Sequence, residues 1–233
     1  MSEFFKFEDP SRDFPYYKHN PRLSKTAWIV LLLCIPLSFI VYGITGSENE
    51  VIGSIFFALV LLLPLLYFSN WDLSLIIRMP TRKEIGLAVL LFIGYMIYAI
   101  VVGGIIDAFT QTAEASSDYL GVTWEMFFGL LFSMLAEELV KFIPLMFFMR
   151  LIYKYTDNRK LAIVVSTVII LGFFGLLHYD PPEFPLISVL AVQGFGSIFE
   201  LYGYIKTKNM VVPYLSHLLT DALIFFLILI GIA

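Results

Sequence analysis

The chain alternates between long apolar runs and short polar interruptions. Seven runs approach bilayer length: residues 27–44, 51–68, 86–106, 126–149, 161–178, 185–205 and 210–232. A hydrocarbon core demands roughly 18 to 20 apolar residues per helical crossing. None of the runs shows the strict alternation of barrel strands, and a bilayer offers no water to backbone amides, so helices are expected. The fold class that follows is all-α, a polytopic membrane protein of about seven transmembrane helices. Residues 1–26 before the first run are mostly polar and no small-residue cleavage pattern follows it, so the run reads as a span rather than a removable signal. The expected organisation is an N-terminal arm over 1–26 and a single transmembrane domain over 27–233. The arm, with Pro10, Pro15, Pro21, Tyr16 and Tyr17, reads as an interfacial tether, with regulation as its alternative role.

The polar interruptions carry the orientation. The arm holds Lys6, Arg12, Lys18, Arg22 and Lys25; the even-numbered loops hold Arg78, Arg82, Lys83, Arg150, Lys154, Arg159, Lys160, Lys206 and Lys208. The odd-numbered loops hold only acids, among them Glu48, Glu50, Glu114, Asp118, Asp180 and Glu183. Every one of the 15 Lys and Arg residues except Lys141 therefore falls on one side. The positive-inside rule makes that side cytoplasmic, with the C-terminus outside, as in a multi-pass plasma-membrane protein. Pro80 and Asp180-Pro181-Pro182-Glu183 mark tight connections. Thr123 is placed to cap the fourth helix, with Glu125 in its first turn.

Composition narrows the function. The chain is 59% apolar and 15% charged, with a mean hydropathy of +0.86, where a soluble domain averages roughly 25% charged. This excludes a soluble globular domain, a disordered tail and a nucleic-acid binder. Cys34 is the one cysteine, so no internal disulfide forms. The partners expected are the lipid bilayer and a peptide or membrane-protein substrate; nothing in the sequence fixes the oligomeric state.

Lys141 lies inside the fourth span beside Glu137 and Glu138. A charge at the bilayer centre costs about 2.5–3.5 kcal/mol, so these groups must face protein or a wet cavity. Glu137 and Lys141 are four apart with the acid first, the favourable sense for an ion pair. Glu138 points about 100° away and needs another partner. The fifth span ends Phe174-Gly175-Leu176-Leu177-His178, and the seventh contains His217-Leu218-Leu219-Thr220-Asp221, which puts His217 and Asp221 on one face. Glu200, six residues from Lys206, is expected to reach toward the headgroups, with support of the site as its other role.

Each feature has a plain structural explanation: a helix-pairing salt bridge, an interfacial histidine, a satisfied His–Asp pair. Together they supply what peptide hydrolysis needs, namely a base for water, an oxyanion donor and a proton for the leaving amine. Glu137 serves as base and shares the attacking water with His178; His217 donates to the oxyanion, with Asp221 orienting its ring. Cys34 lies far from any histidine and no Ser or Thr sits in a nucleophile motif, so covalent catalysis is not expected. No cofactor is favoured. A zinc held by Glu137, His178 and His217 is the competing reading, opposed by the absence of His-Glu-x-x-His and by the charge of Lys141. Depth poses a difficulty, since His178 lies about 27 Å along its helix from Lys160 but Glu137 only about 20 Å from Arg150. A tilted or broken fifth span is therefore expected.

The order Glu137-Glu138, Phe174-x-x-x-His178, His217-x-x-x-Asp221 resembles the CPBP family, the CAAX protease and bacteriocin-processing (Abi) intramembrane endopeptidases. The approach Gly203-Tyr204-Ile205-Lys206-Thr207-Lys208-Asn209 is similar to that family's lead into its last motif. The resemblance covers roughly 124–225. It implies that Glu137 and His178 activate water, that His217 and Asp221 form the oxyanion site, and that Glu138 supports. The family's Glu-Glu-x-x-x-Arg would place an arginine where Phe142 stands. The base here is Lys141, and Glu-Glu-x-x-Lys resembles the PrsW-type relatives. The implied activity is cleavage of a peptide or membrane-protein tail from a cavity opening to the cytoplasm. The alternatives are a non-proteolytic scaffold or a bacteriocin self-immunity protein that keeps the fold. A proton-coupled transporter should show inverted repeats, and none is visible.

Overall fold

The structure is a computed structural model that describes residues 3–18, 21–110, 121–180 and 185–232. The loop acids Glu114, Asp118 and Glu183, with Pro181 and Pro182, lie outside the described residues. Among the described residues there is no β-strand, and seven helices follow the seven apolar runs. They are α1 (Lys25–Gly46), α2 (Glu50–Phe68), α3 (Arg82–Thr110), α4 (Trp124–Thr156), α5 (Arg159–Leu177), α6 (Leu186–Thr207) and α7 (Val211–Leu229). Starts are capped as the sequence allows: Ser24, Asn49, Thr123 and Asn158 each accept a backbone N–H of the first turn. Six of the helices are long and apolar enough to cross a membrane.

The exception in composition is α4, whose apolar run is interrupted by Glu137, Glu138 and Lys141. It is also the central helix. Every residue from Glu138 to Met146 is buried, so neighbours surround it on all sides, as a helix apolar all round requires. It packs against α1, α2, α5 and α7. Its three charges therefore face protein or the cavity.

The expected break in the fifth span is absent. Helix α5 runs unbroken and His178 forms its C-terminal cap. The fourth helix instead extends past Arg150 to Thr156, and the α4–α5 turn falls at Asp157–Asn158. Counted from that turn, Glu137 and His178 are each about 30 Å up their helices at 1.5 Å per residue. The apparent mismatch came from ending α4 seven residues too early.

The broken helix is α6. One α turn (Leu186–Ser188) passes into a π-helical stretch (Val189–Gly194), a 3-10 turn (Phe195–Ser197) and a regular α segment (Ile198–Thr207). The π stretch packs on α5 through two glycines. A Cβ on Gly175 would lie 2.9 Å from the Val189 carbonyl, and one on Gly194 would lie 2.7 Å from that of Leu171.

The arm is not a tether. Phe14, Tyr16 and Tyr17 are buried in the main core, and Tyr16 hydrogen-bonds the Ser69 hydroxyl at 2.7 Å. Glu8, buried, accepts from Arg159 Nη1 at 2.8 Å, from Arg159 Nη2 at 2.6 Å and from Lys208 Nζ at 2.6 Å. The α6–α7 turn is sunk into the bundle, with Thr207, Lys208, Asn209 and Met210 all buried. The arm covers it and supplies the counter-charge that a buried lysine needs. Burial pushes the Glu8 carboxyl upward, but the hydrogen bonds from Arg159 and Lys208 outweigh it and hold its pKa below 4.5. Burial also pushes the Tyr16 phenol up to about 12.

Candidate active site

A cavity of about 810 Å³ opens among α3, α4, α5, α6 and α7. Glu137, Phe174, His178, Glu200, His217 and Asp221 all line it, so every residue singled out in the sequence except Glu138 and Lys141 reaches one space. Those two lie directly behind its wall. The cavity extends to Val122, Tyr179 and Asp180, at the acidic-loop end and opposite the arm. A cytoplasmic arm and a cytoplasmic mouth are thus incompatible, and the two expectations do not hold together.

His217 is the pivot. Its Nδ1 donates to Glu138 Oε1 at 2.9 Å. Its Nε2 lies 3.8 Å from Glu137 Oε2 and 3.8 Å from Asp221 Oδ2. Glu138 therefore holds the Nδ1 side of the ring, while Asp221, expected to orient it, faces Nε2 together with Glu137. Asp221 stands with Glu137 on the cavity side.

The expected Glu137–Lys141 pair does not form. Lys141 bonds Glu138 on its own helix and Glu200 on α6, with its ammonium 4.5 Å from the Phe174 ring centroid. Glu200 is buried rather than turned to the headgroups, because Lys141 sits across from it in the bundle. Glu137 is left free of the lysine, with its side chain 23% exposed toward the cavity.

His178 reaches the cavity from the end of α5. Its Nδ1 contacts the Phe174 carbonyl at 2.9 Å. A carbonyl only accepts, so Nδ1 carries the proton and Nε2 is left as the acceptor. Phe174 packs edge-on to His178 at 4.7 Å and to His217 at 6.4 Å. The four-residue spacing of Phe174 and His178 thus sets both imidazoles against one ring. No ion-pair contact joins His178 to Glu137 among the described residues.

The described residues gather one set of possible metal ligands, Glu138, Glu200 and His217, with ligand atoms within 4.8 Å of one another. This is not the expected zinc set of Glu137, His178 and His217. The ammonium of Lys141 already bonds two of its three members. A dication there would face a buried positive charge, so these residues do not fit a metal.

Sequence reasoning passed over two cavity features. Gln193 lines the main cavity from the π stretch, and its buried Oε1 has no hydrogen-bond partner among the described residues. The signal was a lone amide just ahead of Gly194 and Gly196 in an apolar run. Glu50, counted only as a loop acid, lines a second cavity with Tyr42.

Residues 119–223 match the sequence profile of the family described as Rce1-like, type II CAAX prenyl endopeptidase. No curated protein and no solved structure matches the chain.

Proposed function

We propose, from the match of residues 119–223 to the Rce1-like family of type II CAAX prenyl endopeptidases, that this chain hydrolyses a peptide bond in a peptide or membrane-protein tail, with Glu137 as the base for water. The observation that supports this most is the placement of Glu137. It borders the cavity within 4 Å of an imidazole, while Lys141, which would otherwise tie it up, is engaged by Glu138 and Glu200.

The chemistry follows from these groups. A substrate carbonyl in the cavity meets a water held between Glu137 and Nε2 of His178. Glu137 takes a proton as the water oxygen bonds the carbonyl carbon. The oxyanion forms beside Nε2 of His217, whose other nitrogen is fixed by Glu138 so that an N–H at Nε2 points inward. Collapse breaks the C–N bond, and the proton that Glu137 took from the water passes to the leaving amine. This route uses no metal, so hydrolysis should survive stringent chelation. With the basic loops and arm in the cytoplasm, the mouth lies on the extracytoplasmic side. Cysteine placed at Tyr179 should then react with an impermeant thiol reagent added to intact cells.

The test uses purified protein in nanodiscs with a quenched peptide library that includes prenylated CAAX peptides. Cleavage by wild type should fall about 10²–10⁴-fold in Glu137→Gln, the range for removing a general base. Equal cleavage by the two proteins would remove Glu137 as the base, and no cleavage by either would favour the non-proteolytic scaffold.

A further inference from the structure

Hydrolysis consumes one water per peptide bond, and a substrate that fills the main cavity shuts bulk water out of it. The structure contains a second space that reaches the same base. A cavity of about 230 Å³ lies between α1, α2, α4 and α7 and shares Met126, Glu137, Asp221 and Phe225 with the main one. Glu137 and Asp221 therefore form a wall with a cavity on either side.

The far end of this space is polar. Tyr42 on α1 and Glu50 at the start of α2 both line it, and the Tyr42 hydroxyl donates to the Glu50 carboxylate. Ser133 lies between that pair and Glu137, also lining the space. It precedes Glu137 by one helical turn, about 6 Å along α4. Glu50 is brought near α4 by Gly129, where a Cβ would lie 3.0 Å from Ser54 Oγ and 3.7 Å from the Glu50 carbonyl. A row of Tyr42, Glu50, Ser133 and Glu137, with Asp221 at its inner end, thus crosses a wall otherwise lined by Phe, Met and Leu, and a water occupies about 30 Å³ in the liquid. Room and polar partners for a short file of waters are both present.

We propose that this second cavity is the water inlet of the site, entered past Tyr42 and Glu50 and leading along Ser133 to Glu137, while the main cavity holds the substrate. This rests on the hydrolytic reading and deepens it. The water that leaves the file divides as in any hydrolysis, its hydroxyl bonding the acyl carbon and its proton going to the amine. Tyr42, Glu50 and Ser133 touch neither substrate nor the scissile bond; they are positioning residues for solvent. All but Ser133 come from spans outside the family match at 119–223.

The test begins with accessibility, which needs no substrate. In a Cys34→Ser background in proteoliposomes, Ser133→Cys should react with a charged methanethiosulfonate about tenfold faster than Leu131→Cys, because Leu131 is exposed on the lipid-facing surface. Tyr42→Trp should slow labelling at position 133 and leave that at Gln193→Cys in the main cavity unchanged. In the peptidase assay, Ser133→Leu should lower kcat about tenfold with KM within about twofold, the split expected when water supply rather than substrate binding is impaired. If Ser133→Leu does not fold, Tyr42→Trp carries the same kcat measurement. Equal labelling at 133 and 131, or a full kcat with the inlet filled in an active enzyme, overturns the inlet. An inactive wild type with rapid labelling at 133 overturns the hydrolytic reading instead.

Discussion

His217 and Glu138, 79 positions apart in the chain, are joined by a 2.9 Å hydrogen bond from the ring Nδ1 to the carboxylate. Glu138 is held in turn by Lys141, and Lys141 by Glu200, so three helices are tied into the orientation of one imidazole. The lysine stands one residue before the family's arginine position, yet it reaches Glu138 at i,i+3 on the same helix. The place due for arginine is taken by Phe142, which packs among the rings of Tyr16 and Tyr204 at 6.2 and 5.3 Å. Glu138 is thus clamped by a lysine from its own helix, and Phe142 beside that lysine helps to anchor the arm.

This relationship separates the two adjacent glutamates by experiment. In the proposed mechanism Glu138 acts through His217, not on water, so Glu138→Gln should cost about 10–100-fold, as losing a supporting hydrogen bond does. That is far less than Glu137→Gln. A glutamine can still accept from Nδ1, so the ring keeps its place but loses part of the charge beside it. Steady-state kinetics of both variants decide the matter, and equal losses would mean that the roles are not divided in this way.

Lys141 bears on stability more than on chemistry. Lys141→Met leaves two buried carboxylates without their cation and should destabilise the protein by about 3–5 kcal/mol, the cost of breaking a buried pair from one side. Adding Glu200→Gln removes one orphaned charge and should recover part of the loss. Thermal unfolding in detergent compares the two. If the double variant is no more stable than the single one, Glu200 is not the partner it is in this structure.

The seven spans were legible because lipid allows so few solutions: apolar runs of fixed length must be helices, and the loop charges alternate with them. The residues of the site were legible for the same reason, since ionisable groups in a bilayer need one another. Pairing was not. Glu137 and Glu138 offer Lys141 almost equal spacing, and the choice fell to Glu200, whose approach depends on the irregular turn of α6. Nor was the packed arm visible, because Glu8 finds Arg159 and Lys208 from 151 and 200 positions away. His178 seemed too deep only because the polar end of α4 gave no sign of where the helix stops.

The glycine contact between α5 and α6 gives a third expectation. A methyl group on Gly175 would meet backbone atoms at 2.9–3.1 Å, with no flexible side chain to yield, whereas one on Gly172 meets nothing within 4 Å. Gly175→Ala should cost about 1–3 kcal/mol, as overpacking does, and should lower activity by displacing His178 three residues on. Gly172→Ala on the same helix should be neutral or stabilising, since alanine is the better helix former by about 1 kcal/mol. Melting curves and peptide cleavage for the pair check both halves, and similar behaviour of the two variants would remove the close contact from the account.

The arm offers a test in pH. The carboxyl of Glu8 is held below its ordinary value of 4.5 in the folded protein, so the folded state favours the charged form. Its contribution is complete above that ordinary value and is lost as pH falls through the lower, folded one. Acidification below about pH 4.5 should therefore loosen the arm from Arg159 and Lys208 and open its backbone to proteolysis. Glu8→Gln should show the same exposure at neutral pH and little further change on acidification. Limited digestion with an acid-tolerant protease, followed by mass spectrometry of the N-terminal fragments, reads the release directly. An arm equally protected at pH 7 and at pH 3.5 in the wild type would show that its aromatic anchors, Phe14, Tyr16 and Tyr17, hold it without the ion pairs.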